Sequence, residues 1–122
     1  MTYSILLASD SSPLRQSIYQ SLSRAGFQIF EAANGQEALA KMESQDSLDL
    51  LLIDAALPDM DGIQLTKQIR NISLYRFLPI VVLSAIRYKS LEVEGLAAGV
   101  TGWLNQPVIT EQLQMVINRL LP

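Results

Sequence analysis

Apolar and polar positions change rhythm repeatedly along this chain. Short strand-like runs occupy SILLA (4–8), QIFEA (28–32), LDLLLID (48–54), PIVVLSA (79–85) and GWLN (102–105). Between them the apolar residues recur at helical spacing. In the first such segment Leu14, Ile18, Leu22 and Ala25 fall at steps of three and four, with Ser12 as the expected N-cap, Pro13 as the first helical residue and Gly26 as the stop. A second helix is predicted to start after Asn34-Gly35 and to carry Ala38, Leu39 and Met42. A third starts near Asp61-Gly62 with Ile63, Leu65 and Ile69, and a fourth runs from Lys89 to Ala98 and stops at Gly99. The last, with Thr110 as its expected cap, presents Leu113, Val116, Ile117 and Leu120 on one stripe.

Five strand–helix pairs in strict alternation predict an α/β fold: a doubly wound, five-stranded parallel sheet with helices on both faces. No internal repeat, low-complexity tract or linker interrupts it, so residues 1–122 are read as one domain. In such sheets ligands bind at the carboxyl ends of the strands, where the strand order reverses. The residues standing there are Ser9-Asp10-Ser11, Asp54-Ala55-Ala56, Ser84-Ala85-Ile86 and Asn105-Gln106-Pro107. Asp54 is the least expected of them, because it ends an apolar run with a group that is costly to bury unpaired.

Composition narrows the chemistry. Hydrophobic residues make up 49% and charged residues 17%, which excludes a disordered chain. With no cysteine and no histidine, disulfides, thiolate metal sites, His-ligated zinc and His-based acid–base catalysis are all excluded. The net charge of −3 argues against nucleic acid as a direct ligand, since phosphate backbones need a basic face. No apolar run approaches the roughly 18 to 20 residues that span a bilayer, and the N-terminus lacks a basic n-region. A cytoplasmic protein with no membrane partner is the expectation. The loop after the first strand, SDSSPLRQ, has no glycine, so neither a dinucleotide fingerprint nor a P-loop is present.

What remains is a carboxylate pair able to hold a hard cation. Asp10 and Asp54 could bind Mg²⁺ through one oxygen each, with a backbone carbonyl and waters completing the shell. The cation would draw in a phosphorylated donor while Asp54 acts as a carboxylate nucleophile, and Ser84 could bond an oxygen of the acyl phosphate. Plainer roles compete at each position. Asp54 can cap the following turn, and Asp10 shares the capping of the first helix with Ser11 and Ser12. Gln106 can bond a loop backbone, Trp103 can be mere packing, and Asp59 and Asp61 suit a solvated loop and the start of the third helix.

The motifs resemble those of response-regulator receiver domains of two-component signalling, of the flavodoxin-like kind represented by the single-domain chemotaxis regulator. The resemblance covers essentially the whole chain. A hydrophobic strand, then Asp54-Ala-Ala-Leu-Pro58-Asp-Met-Asp61-Gly62, matches the phosphoacceptor loop. SILLASDSSPLR, PIVVLSA and AGVTGWLNQP match the first strand end, the fourth strand and the last loop. The resemblance implies Asp54 as phosphoacceptor, Asp10, Asp54 and the Ala56 carbonyl as Mg²⁺ ligands, Ser84 as the hydroxyl switch and Trp103 as the aromatic switch. It implies a histidine kinase or phosphotransfer protein as donor. A downstream protein would dock on the face of the fourth helix, fifth strand and fifth helix, around Tyr88, Leu91, Val93, Trp103 and Ile109. A signalling module, not an enzyme, is expected. Within these residues there is no output segment, which leaves a stand-alone regulator and the receiver of a longer protein both open.

Two positions depart from the family pattern. Two adjacent acids usually follow the first strand, and here the first is Ser9; a lysine usually precedes the last-loop proline, and here it is Gln106. The usual three acids and one lysine carry a formal charge of −2, and so does the pair Asp10 and Asp54 alone. The two changes remove opposite charges, which suggests a compensating pair, because losing one partner alone leaves a buried charge uncompensated at about 3–5 kcal/mol. The departures also raise two competing readings. One is a phosphorylation-independent binding module of the same fold. The other is a phosphohydrolase with an aspartyl nucleophile, which typically needs a second acid two residues after the nucleophile, where this chain has Ala56.

Overall fold

A computed structural model describes residues 2–45, 47–85 and 89–122, with the side chains of residues 89–91 outside the description. Strands β1 (Ser4–Ala8), β2 (Gln28–Ala32), β3 (Leu50–Asp54), β4 (Ile80–Ser84) and β5 (Gly102–Asn105) alternate with helices α1 (Ser12–Arg24), α2 (Gly35–Ser44), α3 (Gly62–Arg70), α4 (Lys89–Ala98) and α5 (Thr110–Leu120). A short 3-10 turn at Ser73–Tyr75 precedes β4. All strand pairs are parallel, in the order β2-β1-β3-β4-β5.

The consecutive apolar runs have a simple cause: both sheet faces are covered, so successive side chains enter different cores. Leu6, Ala8, Leu51, Ile53 and Ile80 pack with Ala38 and Met42 of α2 and Leu65 and Ile69 of α3. Ile5, Leu7, Leu50, Leu52, Val81 and Leu83 pack on the other face with Ile18 and Leu22 of α1 and Leu113 and Ile117 of α5. The chain winds out from β1 to β2 and then crosses back to β3 on the other side of β1. The strand order therefore reverses between β1 and β3, and their carboxyl ends form the crevice where ligands bind.

Register brings particular residues to that crevice. Ala8 pairs with Ile53, so Ser9 follows on β1 beside Asp54. Asp54 itself pairs with Leu83, and Ser84 with Asn105, which delivers Gln106 to the same end of the sheet. At the far side Arg70, half-buried at the end of α3, donates from Nε at 3.2 Å and Nη2 at 2.6 Å to the Gly99 carbonyl. It also donates from Nη1 to the Tyr75 carbonyl at 3.0 Å, fastening the C-terminal end of α4 to α3.

Three helix starts differ from expectation, and the smallest difference is at α2, which begins at Gly35 itself with Asn34 as its cap. Ser11, not Ser12, caps α1, its hydroxyl accepting from Leu14 N at 3.3 Å, so the helix begins at Ser12. Asp10, Ser11 and Ser12 all suit a cap by residue type, and only the extended backbone at Ser11 decides among them. Thr110 is the first helical residue of α5, and Ile109 occupies the cap without a side-chain hydrogen bond. β3 and β4 are also trimmed at their ends, to Leu50–Asp54 and Ile80–Ser84.

Leu52 lies wholly buried in the central strand, so Leu52→Ala should cost about 2–5 kcal/mol in urea unfolding. Leu74→Ala, at a side chain 61% exposed, should stay within about 0.5 kcal/mol.

Candidate functional site

Asp54 is half-buried at the end of a strand whose other four residues are fully buried, and three groups reach its carboxylate. Ser9 Oγ donates to Oδ2 at 3.1 Å. Ala56 N donates to Oδ1 at 3.2 Å, and Gln106 Nε2 lies 3.4 Å from the same oxygen. Ser9 is completely buried, and its oxygen also accepts from Ser11 N at 3.1 Å. A hydroxyl has one proton, so accepting from Ser11 leaves that proton for Asp54. The Gln106 amide orientation is fixed in the same way. Its nitrogen faces two acceptors, Asp54 and the Leu83 carbonyl at 3.2 Å, where an amide oxygen would find no donor.

The two positions that depart from the receiver pattern therefore meet on one carboxylate. Neutral donors stand where an acid and a lysine would contribute opposite charges. The turn-capping reading of Asp54 is also realised, through Ala56 N, alongside the other two bonds. Gln106 bonds more than loop backbone, and its peptide to Pro107 is cis.

The other expected site residues divide in two. Asp10 sits exposed just beyond β1, and because Ser11 takes the capping role, its carboxylate is not used at the helix start. Ala56 is exposed in the loop after β3, which folds back through a bridge between Ala56 and Asp61. Gly62 follows because α3 starts hard against that strand end. A Cβ on Gly62 would stand 3.2 Å from the Asp54 carbonyl oxygen and 3.3 Å from Ala55 Cα. Ser84 is buried at the end of β4, one residue past the register partner of Asp54. Trp103 is not in this cluster. On β5 it pairs with Val82 of β4, and its indole lies on α4, where a Cβ on Gly95 would come 2.3 Å from Cζ2. Of the expected docking face, Val93 is 61% and Ile109 50% exposed, while Tyr88 and the side chain of Leu91 lie outside the described residues.

Two contributors were not singled out in the sequence as part of the site. Arg15 of α1 donates to the Ser9 carbonyl and forms an ion pair with Glu31 at 3.5 Å, which pins the β1 end from behind. Its place one helical turn after Ser11 was the available signal. Asp59 is not merely a solvated loop residue, since it binds the first amides of α2. Asp61 does start α3, in a capping box with Gln64.

The sequence model of the response regulator receiver domain matches residues 5–118. The chain belongs to that family. It is 31% identical over 118 residues to the chemotaxis protein CheY1 of Helicobacter pylori, covering 93% of this chain and 95% of that one. Its fold matches the chemotaxis protein CheY4 of Vibrio cholerae with a TM-score of 0.95 at 35% identity, over 99% of this chain and 100% of that one. It also matches the receiver domain of the sensor histidine kinase PA1611 from Pseudomonas aeruginosa PAO1, described with magnesium coordinated in its active-site cleft. That match has a TM-score of 0.89 at 29% identity and covers 98% of both chains. This receiver is thus a module of two-component phosphorelay signalling, and the likenesses give no support to a phosphorylation-independent binding module.

Ser9→Ala should destabilise the receiver by about 1–3 kcal/mol in urea unfolding, because it strips a fully buried donor from a carboxylate. Gln106→Ala should cost less, since its amide sits at a long 3.4 Å and is only half-buried. Equal costs would show that the two donors do not differ in this way.

Proposed function

We propose that Asp54 accepts a phosphoryl group from a histidine kinase or phosphotransfer protein and that the resulting acyl phosphate alters contacts with a downstream protein. The observation that carries this reading is the placement of Asp54: a carboxylate held by three donors at the carboxyl end of the central strand, at the point where strand order reverses. In the transfer, a carboxylate oxygen forms a bond to phosphorus as the phosphorus–nitrogen bond of a phosphohistidine breaks. The imidazole leaves, and a mixed anhydride remains on Asp54. The receiver is modified in this step and acts as a signalling module, not as an enzyme with an external substrate.

The donor set suits Mg²⁺. Asp10, Asp54 and the Ala56 carbonyl offer only oxygen, which fits a hard cation that keeps several waters. These are few protein oxygens, which leaves room in the shell for water and for a phosphoryl oxygen. When bound, the ion supplies positive charge against the phosphoryl oxygens as they transfer. Ser84 provides a hydroxyl donor from the neighbouring strand end. Gln106 provides neutral amide hydrogens where a lysine would provide a charge. Charge-assisted bonds are roughly twice as strong as neutral ones, so this receiver holds its phosphoryl group less firmly than a lysine-bearing one. A new charge of about −1.5 to −2 at Asp54 is enough to bias a two-state element. The contact between Trp103 and Gly95 ties β5 to α4 and makes Trp103 its reporter. The exposed Val93 and Ile109 suit a protein partner on that face, and the net charge of −3 makes direct nucleic-acid contact unfavourable. Among the described residues no helix is long and apolar enough to cross a membrane, in keeping with a cytoplasmic site of action.

Incubation with Mg²⁺ and acetyl phosphate should add one phosphoryl mass, abolished in Asp54→Asn, with a Mg²⁺-dependent change in Trp103 fluorescence. An unmodified protein with no Mg²⁺-dependent response would overturn the reading.

A further inference from the structure

The loop that follows Asp54 is fastened at its tip to a helix that contributes nothing else to the site. Asp59 offers both carboxylate oxygens to α2: Oδ1 accepts from Gly35 N at 2.8 Å and Oδ2 from Gln36 N at 2.9 Å. Asn34 Oδ1 accepts from Glu37 N at 2.8 Å, so the first three amides of α2 all have side-chain partners. A helix start leaves four such donors, and a single local cap is the ordinary provision. Here Asn34 already supplies it, and the second cap comes from 24 residues away. The Gly35 amide first, and then that of Gln36, hold the Asp59 carboxyl below its ordinary range. The tie is therefore present at neutral pH and is lost only as pH falls through that lowered value.

A second contact lies beside the first. Met60 is laid over Gly35 so closely that a Cβ there would come 2.5 Å from its sulfur. Glycine at the start of α2 makes room for the loop. At its stem the loop is closed by the Ala56–Asp61 bridge, by Leu57 N donating to Met60 O at 3.2 Å, and by Gly62 N donating to Ala55 O at 2.9 Å. Residues 55–61 thus form a closed hairpin, its stem on α3 and its tip on α2.

Ala56 sits in that stem and has two duties. Its N–H bonds Asp54 Oδ1, and its carbonyl is the third protein oxygen offered to the cation. Both depend on the orientation of one stretch of loop backbone, held by the stem on one side and by the Asp59 tie at the tip on the other. We propose that Asp59 is a positioning residue for the phosphoacceptor site: by fastening the loop tip to α2 it sets the Ala56 peptide against Asp54. The cation half of this role rests on the functional reading above, whereas the Asp54 half does not.

Amide exchange and Mg²⁺ titration on the intact receiver, in Asp59→Ala and Asp59→Asn, test the role. Asp59 is exposed and Asn34 still caps α2, so both variants should fold. In Asp59→Ala the Leu57 amide should exchange roughly threefold to tenfold faster and the Ala56 amide resonance should move. The Mg²⁺ Kd should rise roughly tenfold. Asp59→Asn, which keeps one acceptor, should fall between. Gly35→Ala, which pushes Met60 from the α2 side, should move the same Ala56 and Leu57 signals without touching the loop's own sequence. If only the Gly35 and Gln36 amides respond, and the Ala56 and Leu57 signals stay as they were, Asp59 is a helix cap and the proposal fails. If the wild-type receiver takes up no Mg²⁺, it is the cation reading that falls, and the amide signals still decide the tie.

Discussion

Everything at this site depends on how a carboxylate is kept at the end of a strand that is otherwise wholly buried. Leu50 to Ile53 have no exposed surface, and the next residue is Asp54. Leaving that group without partners would be costly, so its oxygens need hydrogen-bond donors. Three donors prevent it. The most consequential is the Ser9 hydroxyl, because it is the one buried completely and it can give its proton to nothing else. Its position follows from sheet register, one step beyond the pairing of Ala8 with Ile53, and its backbone is held by Arg15 from α1.

The same geometry explains why two departures from the receiver pattern occur together. An acid at position 9 would place a second carboxyl within hydrogen-bond range of Asp54, in a fully buried position, where two like charges cannot both persist without a cation. A lysine at position 106 would supply that cation, since the Gln106 nitrogen already lies against both Asp54 and the Leu83 carbonyl. Serine and glutamine do the equivalent with dipoles. The net charge is preserved and the donors are weaker, so the resting carboxylate is satisfied while a charged phosphoryl group would be gripped less tightly.

Much of this was legible in the chain. The runs SILLA, QIFEA and GWLN mark β1, β2 and β5 to the residue, since turn residues bound them closely. Asp54 stood out because a charge ended an apolar run, and Gly62 because Asp-Gly opens a helix. What sequence reasoning misplaced depends on through-space relations. Ser11 and Ser12 are equivalent caps until the backbone turns at one of them. Asp59 reads as a loop carboxylate because its partners, Gly35 and Gln36, belong to a different helix. The neighbour of Trp103, Gly95 on α4, is likewise something that no spacing along the chain reveals.

The central claim is that Ser9 and Gln106 act as one unit through Asp54. A double-mutant cycle on metal-free stability measures it directly, using Ser9→Asp, Gln106→Lys and the two together. Ser9→Asp alone should destabilise the receiver strongly, and adding Gln106→Lys should recover at least about 1 kcal/mol beyond the sum of the single effects. Additivity within about 0.5 kcal/mol would contradict the account.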